Sequence, residues 1–294
     1  MGSHVIQGIL LAFAAAVVYG FLGICFEVAG KKRYKVWDVI LVKQFTGFLI
    51  GLGFTTFLHL PILDWRLLLL GLIGAVSYVI TLASYLVASR EKSIATNWTI
   101  VNLSVVVPIL VSIVWFGDAF TLLKCLGIVF TLFSIFLIGG GFQRIPGKES
   151  ASSRWLTCIT VAFLLNGVLV ILFRFVPEGR GAMFTAYFYG ISFLLVLPYK
   201  LMRDRRWAPS KGLIVVSVAG AVTHWSGIML TMAALWKIEK VSAQTGVIVY
   251  PITNGLVIPV GVVLGILLLK QHITRRTGIG VVMGVAALVC LFIP

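Results

Sequence analysis

Residues 93–130 of this 294-residue chain read SIATNWTIVNLSVVVPILVSIVWFGDAFTLLKCLGIVF, and this stretch decides the fold. An apolar helix interrupted by polar residues and by Pro108 leads to a polar turn at Gly117-Asp118 and a second apolar helix. A related stretch at residues 242–283 reads SAQTGVIVYPITNGLVIPVGVVLGILLLKQHITRRTGIGVVM. The chain therefore carries one membrane-length pattern twice, as many transporters do.

The composition predicts an all-α integral membrane protein. Hydrophobic residues make up 60% of the chain and charged residues only 11%. Ordinary soluble domains contain about 45–50% apolar and about 25% charged residues. A helix needs about 20 apolar residues to cross the bilayer core, and nearly the whole sequence divides into segments of that length. A soluble fold is excluded because most of these residues could not face water.

Ten transmembrane helices are predicted, arranged as two inverted five-helix repeats. The predicted spans are 6–28, 38–60, 66–88, 94–116, 121–141, 155–176, 182–202, 212–236, 242–269 and 275–293. The predicted units are a cloning remnant at 1–4, an N-terminal repeat at 5–142, a linker at 143–154 and a C-terminal repeat at 155–294. Because five is odd, the second copy must be inverted in the membrane. Such repeats place a binding site near the midplane and allow alternating access.

Positions in the two repeats match at a nearly constant offset. Tyr78 in the third predicted span corresponds to His224 in the eighth, and Gly47 in the second corresponds to Gly190 in the seventh. Single matches of this kind are common by chance, whereas an ordered series is not. The series supports the repeat and, with it, a site shared between the halves.

The positive charge indicates orientation in a membrane. The formal net charge is +15, and most Lys and Arg residues lie in loops that follow odd-numbered predicted spans. Under the positive-inside rule these loops are cytoplasmic, which places both termini outside a multi-pass protein of the inner (plasma) membrane. The same rule explains the charge without nucleic acid. No nucleic-acid partner, metal or cofactor is assigned.

Two ionisable residues are candidates for proton coupling, His224 and Glu27. His224 is interpreted as the only ionisable side chain near the centre of a span, and such residues are functional candidates because they are costly in lipid. With a reference pKa of about 6.5, histidine can exchange a proton near neutral pH. His224 either binds a substrate carboxylate or senses protonation, or it forms a neutral hydrogen bond across helices. Glu27 is either a proton- or cation-binding carboxylate or, as we favour, an interfacial ion-pair partner of Lys43.

Neutral polar and aromatic side chains gather at mid-span depth. An unmatched amide or hydroxyl in hydrocarbon costs several kcal/mol, so these groups should face one another or a cavity. The predicted substrate-binding residues are Trp98, Asn102, Tyr78, His224, Tyr250, Asn254, Tyr19, Asn166, Gln44 and Tyr187. Because proline removes a helix hydrogen bond and kinks the chain, Pro108, Pro251 and Pro259 are candidate hinges, with static bends as the alternative.

Several short features resemble the drug/metabolite transporter (DMT) superfamily, in particular its EamA-type ten-helix permeases. They are the Tyr19-Gly20 pair, the Ser-x-Ala at Ser93, the Gly117-Asp118 turn and the Leu126-Gly127 pair after it. The resemblance extends over nearly the whole chain. This chain differs from the family at Gln271-His272, where an acidic residue is usual. It also differs in the predicted position of its termini, which is outside, whereas family members usually have their termini inside. The resemblance implies a permease fold and favours export.

The predicted function is secondary active transport of a small polar organic solute, such as an amino acid or a similar metabolite, by alternating access. One alternative is proton-coupled efflux of cationic compounds through Glu27. Another is a non-transporting polytopic membrane enzyme or scaffold, although an enzyme would group its catalytic side chains at one interface. The expected partners are the small-molecule substrate and the lipid bilayer. A monomer is sufficient to enclose a pathway, and a dimer is compatible with the sequence.

Overall fold

The computed structural model describes residues 2–61, 63–91, 94–117, 121–139, 152–203, 209–242, 245–269 and 275–292. Within these ranges the secondary structure is helical, so the predicted all-α class is confirmed. The α-helices are α1 Gly2–Lys31, α2 Val36–Phe57, α3 Trp65–Ala88, α4 Ile94–Asn102, α5 Val106–Phe116, α6 Leu122–Gly139, α7 Ser153–Leu172, α8 Gly181–Arg203, α9 Lys211–Glu239, α10 Thr245–Tyr250, α11 Val257–Leu269 and α12 Arg275–Phe292.

Six of the described helices are long and apolar enough to cross a membrane, namely α1, α2, α3, α7, α8 and α9. Large apolar side chains also face outward, including Val114, which is 84% exposed, and Met202, which is 86% exposed. Such a surface suits lipid better than water. The chain is therefore a multi-pass membrane protein. The ten-span topology and the domain limits stay predictions, and the predicted linker lies outside the described residues except for 152–154.

The fourth and ninth predicted spans are not continuous α-helices. A 3₁₀ turn at Leu103–Val105 separates α4 from α5, and a π-helical segment at Pro251–Gly255 separates α10 from α11. Proline lacks an N–H, so the carbonyl four residues earlier loses its helical hydrogen bond. For Pro108 that residue is Ser104, inside the 3₁₀ turn, and for Pro259 it is the last residue of the π segment. The candidate hinges therefore coincide with the helix irregularities, whereas hinge motion itself stays a prediction.

Helix pairing agrees with a two-fold relation between the halves. α1 packs against α9 and α3 packs against α7, while α2 packs against α8 and α6 against α12. In the predicted repeat α1 corresponds to α7 and α3 to α9, so exchanging the halves converts the first contact into the second. The other two contacts join equivalent helices. Helix contacts that are paired in this way are expected of two units related by a two-fold axis.

Side-chain caps begin several of the long helices. The Asp64 carboxylate accepts hydrogen bonds from the backbone N–H groups of Arg66 at 3.0 Å and Leu67 at 3.2 Å. Ser152 and Ser210 cap α7 and α9 in the same way. Each cap satisfies N–H groups that lack a partner within the helix. The starts of these spans are thus encoded locally.

Glycines allow α2 and α8 to approach closely. A Cβ atom added at Gly51 would lie 2.8 Å from the backbone nitrogen of Ala186. A Cβ added at Gly47 would lie 2.5 Å from the ring of Tyr189. Backbone atoms cannot give way as a flexible side chain can, so Gly51 holds the contact distance between the two helices.

Replacing Gly51 with Ala should destabilise the protein by about 1–3 kcal/mol, because the new methyl group overpacks the contact between α2 and α8. Gly53→Ala in the same helix is the matched control, since nothing lies within 4 Å of its added Cβ. The control should be neutral or slightly stabilising, as alanine favours helix over glycine by about 1 kcal/mol. Thermal unfolding of the two purified variants in detergent checks this, and equal melting temperatures would contradict the proposed close approach.

Candidate functional site

A buried lysine lies beside the histidine in the interior of the bundle. Lys43 Nζ is 3.0 Å from His224 Nδ1, and the Tyr189 hydroxyl is 2.6 Å from the same nitrogen. Lys43 is 0% exposed and His224 is 5% exposed. Both the amine and the hydroxyl can donate a hydrogen bond, and Nδ1 of a neutral imidazole that carries its proton on Nε2 has one lone pair, so it accepts from one of the two at a time.

Aromatic rings surround this contact. The Tyr78 ring stacks on the His224 ring, with centroids 4.6 Å apart and an interplanar angle of 18°. Lys43 Nζ lies 4.6 Å from the Tyr78 ring centroid and 5.3 Å from that of Tyr189. No carboxylate of the described residues forms an ion pair with Lys43. The ring faces therefore interact with the amine where a counter-ion would otherwise be expected.

The expected ion pair between Glu27 and Lys43 is wrong. The Glu27 carboxylate lies 3.2 Å from Lys31 Nζ, one turn later in α1. The physical reason is depth: α2 begins at Val36, so Lys43 lies about two turns inside the helix, too far from the membrane edge to remain in contact with water. His224 is consequently not the only ionisable side chain in the interior of a span.

A cavity of about 60 Å³, lined by apolar as well as polar side chains, adjoins this cluster. α1, α3 and α4 line it from the first half, and α7, α9 and the π segment line it from the second. The predicted substrate-binding residues that line it are Tyr19, Tyr78, Trp98, Asn102, Asn166, His224 and Asn254. The structure thus brings most of the predicted set together, at the boundary between the two halves.

Four lining side chains each carry a buried polar atom without a hydrogen-bond partner among the described residues. They are the hydroxyls of Tyr78, Thr81 and Tyr85 and the indole nitrogen of Trp98. A buried polar group that lacks its partner costs about 1–3 kcal/mol. A cavity lined by several such groups is therefore suited to a polar ligand or to water.

The asparagine amides partly hold the broken helices in place. Asn166 Nδ2 donates to the Ser104 hydroxyl at 2.8 Å and so ties α7 to the 3₁₀ turn. Asn102 Nδ2 donates to the Trp98 carbonyl at 2.8 Å, and the Asn254 amide donates to groups within or next to the π segment. In lipid, irregular backbone is tolerated where it is buried in protein or lines a cavity, and both conditions are met here.

Three predicted residues do not line the cavity, namely Gln44, Tyr187 and Tyr250. The Tyr187 hydroxyl accepts a hydrogen bond from the backbone N–H of Asp64 at 3.0 Å, toward the end of the bundle where α3 begins. Gln44 and Tyr250 are fully buried in helix packing. Polarity within a span did not distinguish residues that face the cavity from residues that face a neighbouring helix.

Sequence reasoning missed Thr81, Tyr85 and Lys43. Thr81 and Tyr85 follow Tyr78 by three and seven residues, so they lie on the same face of α3. That helical spacing was a usable signal. For Lys43 the signal was its position inside an apolar span, which makes any ionisable residue a functional candidate.

The fold and the site define a multi-pass helical membrane protein with a cavity between its two halves that several polar side chains line. Residues 6–140 match the EamA-like transporter family, which is part of the DMT superfamily. The predicted resemblance is confirmed there. The members of this family are transporters, not enzymes.

Two further similarities extend over nearly the whole chain. An uncharacterized protein of Haemophilus influenzae is 20% identical over 283 residues, which cover 92% of this chain and 93% of that protein. A protein crystal structure aligns with a TM-score of 0.63 at 12% identity, over 96% of this chain and 95% of the other. At that identity the structural match shows a shared fold alone.

Replacing Lys43 with Met should leave the melting temperature unchanged or raise it. A buried amine without a carboxylate partner is costly to desolvate, and an apolar side chain of similar length relieves that cost. Lys240→Met is the control, because Lys240 is exposed and forms a surface ion pair with Glu178 at 2.7 Å. A Lys43→Met variant that unfolds well below this control would show that the amine holds the fold together.

Proposed function

We propose that this protein is a secondary active transporter that moves a small polar organic solute by alternating access. The observation that carries the proposal is a set of buried polar atoms that have no hydrogen-bond partner among the described residues and lie around a cavity between the two halves. Their hydrogen-bonding capacity is met by a polar solute or by water. A site between repeats can open to either side when the halves rock against each other.

The cavity chemistry favours a solute with a carboxylate or a neutral polar group. None of the described lining residues is Asp or Glu, while Lys43 and His224 lie at one side. Tyr and Trp side chains supply donors, and hydrogen bonds to a charged acceptor are the stronger ones. An amino acid or a similar metabolite fits this lining, and we propose export by analogy with the family.

His224 and Lys43 also suit proton coupling. A solute carboxylate placed beside them supplies the negative charge that the buried amine lacks. For export driven by an inward proton gradient, this pair would hold a proton and the solute in alternation, as an antiporter does.

The conformation seen is too closed to hold such a solute. The cavity of about 60 Å³ holds only a few water molecules, since one water needs about 10–15 Å³. Small-molecule pockets are typically about 300–1,000 Å³. Loading therefore requires the halves to separate, and the irregular segments at Leu103–Val105 and Pro251–Gly255 are the places where their helices can bend.

The alternative functions have less support. Glu27 is paired with Lys31 and does not line the cavity, so it offers no direct site for a cationic compound. A membrane enzyme or scaffold would not need unpartnered donors deep between its helices. The polar groups at mid-depth therefore favour a transporter over a membrane enzyme or scaffold.

A thermal-shift screen of amino acids, nucleosides, polyamines and quaternary amines should identify a stabilising solute, which is then tested for transport in proteoliposomes with and without a pH gradient. His224→Ala and Lys43→Met should each reduce transport at least about tenfold, the loss expected for one strong hydrogen bond. Folded yield should be unchanged. Lys240→Met again serves as the control and should transport normally.

Two results would contradict the proposal. His224→Ala with unchanged transport and unchanged pH dependence would remove His224 from the mechanism. A response only to polyamines or quaternary amines, abolished by Glu27→Gln, would favour efflux of cationic compounds.

We propose that the termini lie outside the cell membrane, as the charge bias predicts. Single cysteines at Lys32 and Arg66, introduced after the four native cysteines are replaced, test this because both positions are exposed. In intact cells a membrane-impermeant maleimide should label Arg66→Cys, and Lys32→Cys only after lysis. The reverse labelling pattern would place the termini in the cytoplasm.

A further inference from the structure

A second and larger cavity, of about 530 Å³, lies where α3 and α8 end and α2 and α7 begin. It is remote from the mid-depth site, because its residues belong to the ends of these helices. Five lining side chains are cationic: Lys35, Arg90, Arg154, Lys200 and Arg203. Asp38 is the only carboxylate among the described lining residues. The pocket therefore has a large excess of positive charge.

The carboxylate of Asp38 already has a cationic partner within the pocket. Asp38 forms a buried ion pair with Lys200, which is 4% exposed. Arg90 and Arg154 are exposed and form no ion pair with any described residue. Arg203 donates a hydrogen bond at 2.6 Å to the Tyr199 hydroxyl, which is itself part of the lining. The guanidinium groups of Arg90, Arg154 and Arg203 thus line a common space, and no described residue forms an ion pair with them there.

The backbone adds to this positive field. α2 begins at Val36 without a side-chain cap, and its first residues line the pocket. The unpaired N–H groups at a helix N-terminus carry a partial positive charge and attract anions. The N-terminus of α2 and the arginine side chains therefore attract an anion to the same pocket.

The pocket also has an aromatic wall. The Trp37 and Tyr199 rings pack with centroids 4.6 Å apart, and both line the cavity. Trp and Tyr are enriched at the level of lipid headgroups, where one end of the ring is apolar and the other polar. An amphipathic ligand with an anionic head meets a matching partner at each part of this surface.

We propose that this pocket binds a phosphate group between the two halves of the protein. Arginine forks match phosphate oxygens in geometry as well as charge. Basic pockets between transmembrane helices are suited to anionic lipid headgroups. The same chemistry would take a phosphate from an anionic phospholipid or a soluble phosphate. Because α2 and α3 lie in the first half and α7 and α8 in the second, the bound phosphate links the halves at this face.

The test is a binding titration on the full chain in detergent at constant ionic strength. Thermal unfolding is followed against phosphatidylglycerol, zwitterionic phosphatidylcholine and inorganic phosphate in separate arms. The Arg90→Gln/Arg154→Gln double variant keeps the Asp38–Lys200 pair and removes the two unpaired guanidiniums. Lys32→Gln/Arg275→Gln is the control, since both positions are exposed, lie outside the pocket and lose the same charge.

Saturable stabilisation by phosphatidylglycerol is expected, weakened about tenfold or more in the arginine double variant and less than about twofold in the control, as the loss of charge-assisted hydrogen bonds implies. Stabilisation by inorganic phosphate with the same sensitivity would support a soluble phosphate as the source. Equal weakening in both double variants would overturn the proposal, because it would show diffuse attraction to a basic face. The proposal would also be overturned if neither phosphatidylglycerol nor inorganic phosphate stabilised the protein, or if phosphatidylcholine stabilised it equally. A variant with lowered melting temperature is still informative, since the readout is the shift caused by ligand.

Discussion

A buried amine touches an imidazole where the two halves of this protein meet. The contact between Lys43 and His224 joins α2 to α9 across 181 residues of sequence, and a tyrosine hydroxyl completes it. Tyr189 reaches this contact from α8 because α2 and α8 approach closely, which requires glycine at positions 47 and 51. Small residues thus set the helix spacing, the spacing places the ring of Tyr189, and the ring and its hydroxyl pack against the amine and the imidazole in an apolar surrounding.

The same constraint explains the irregular helices. Lipid offers no hydrogen bonds, so a chain that departs from the α-helix must satisfy its backbone within the protein. The 3₁₀ turn and the π segment do so between neighbouring helices, with Asn166 bonded to Ser104 and Thr253 bonded back to the Val249 carbonyl. These segments then border the cavity, where four polar side chains have no hydrogen-bond partner in the part of the chain that the structure describes. The 3₁₀ turn and the π segment therefore both satisfy their own backbone and border the proposed binding cavity.

The two cavities differ in depth and in chemistry. The inner one is small, aromatic and lined by neutral donors, while the outer one is larger and strongly cationic. Both lie between helices of the first half and helices of the second. A ligand in either site therefore contacts both halves, and its free energy of binding depends on how they are arranged.

The sequence by itself determined the class of protein, because hydropathy over about 20 residues is a local property that decides whether a helix belongs in lipid. It also located the prolines and the mid-span asparagines, since proline acts on its own helix and an amide in lipid is conspicuous wherever it lies. Only the tertiary structure decided that Tyr187 bonds Asp64, that Glu27 pairs with Lys31, and that Lys43 reaches His224. Which face of a helix points inward, and how deep a side chain lies, depends on helices distant in sequence that a local pattern does not contain.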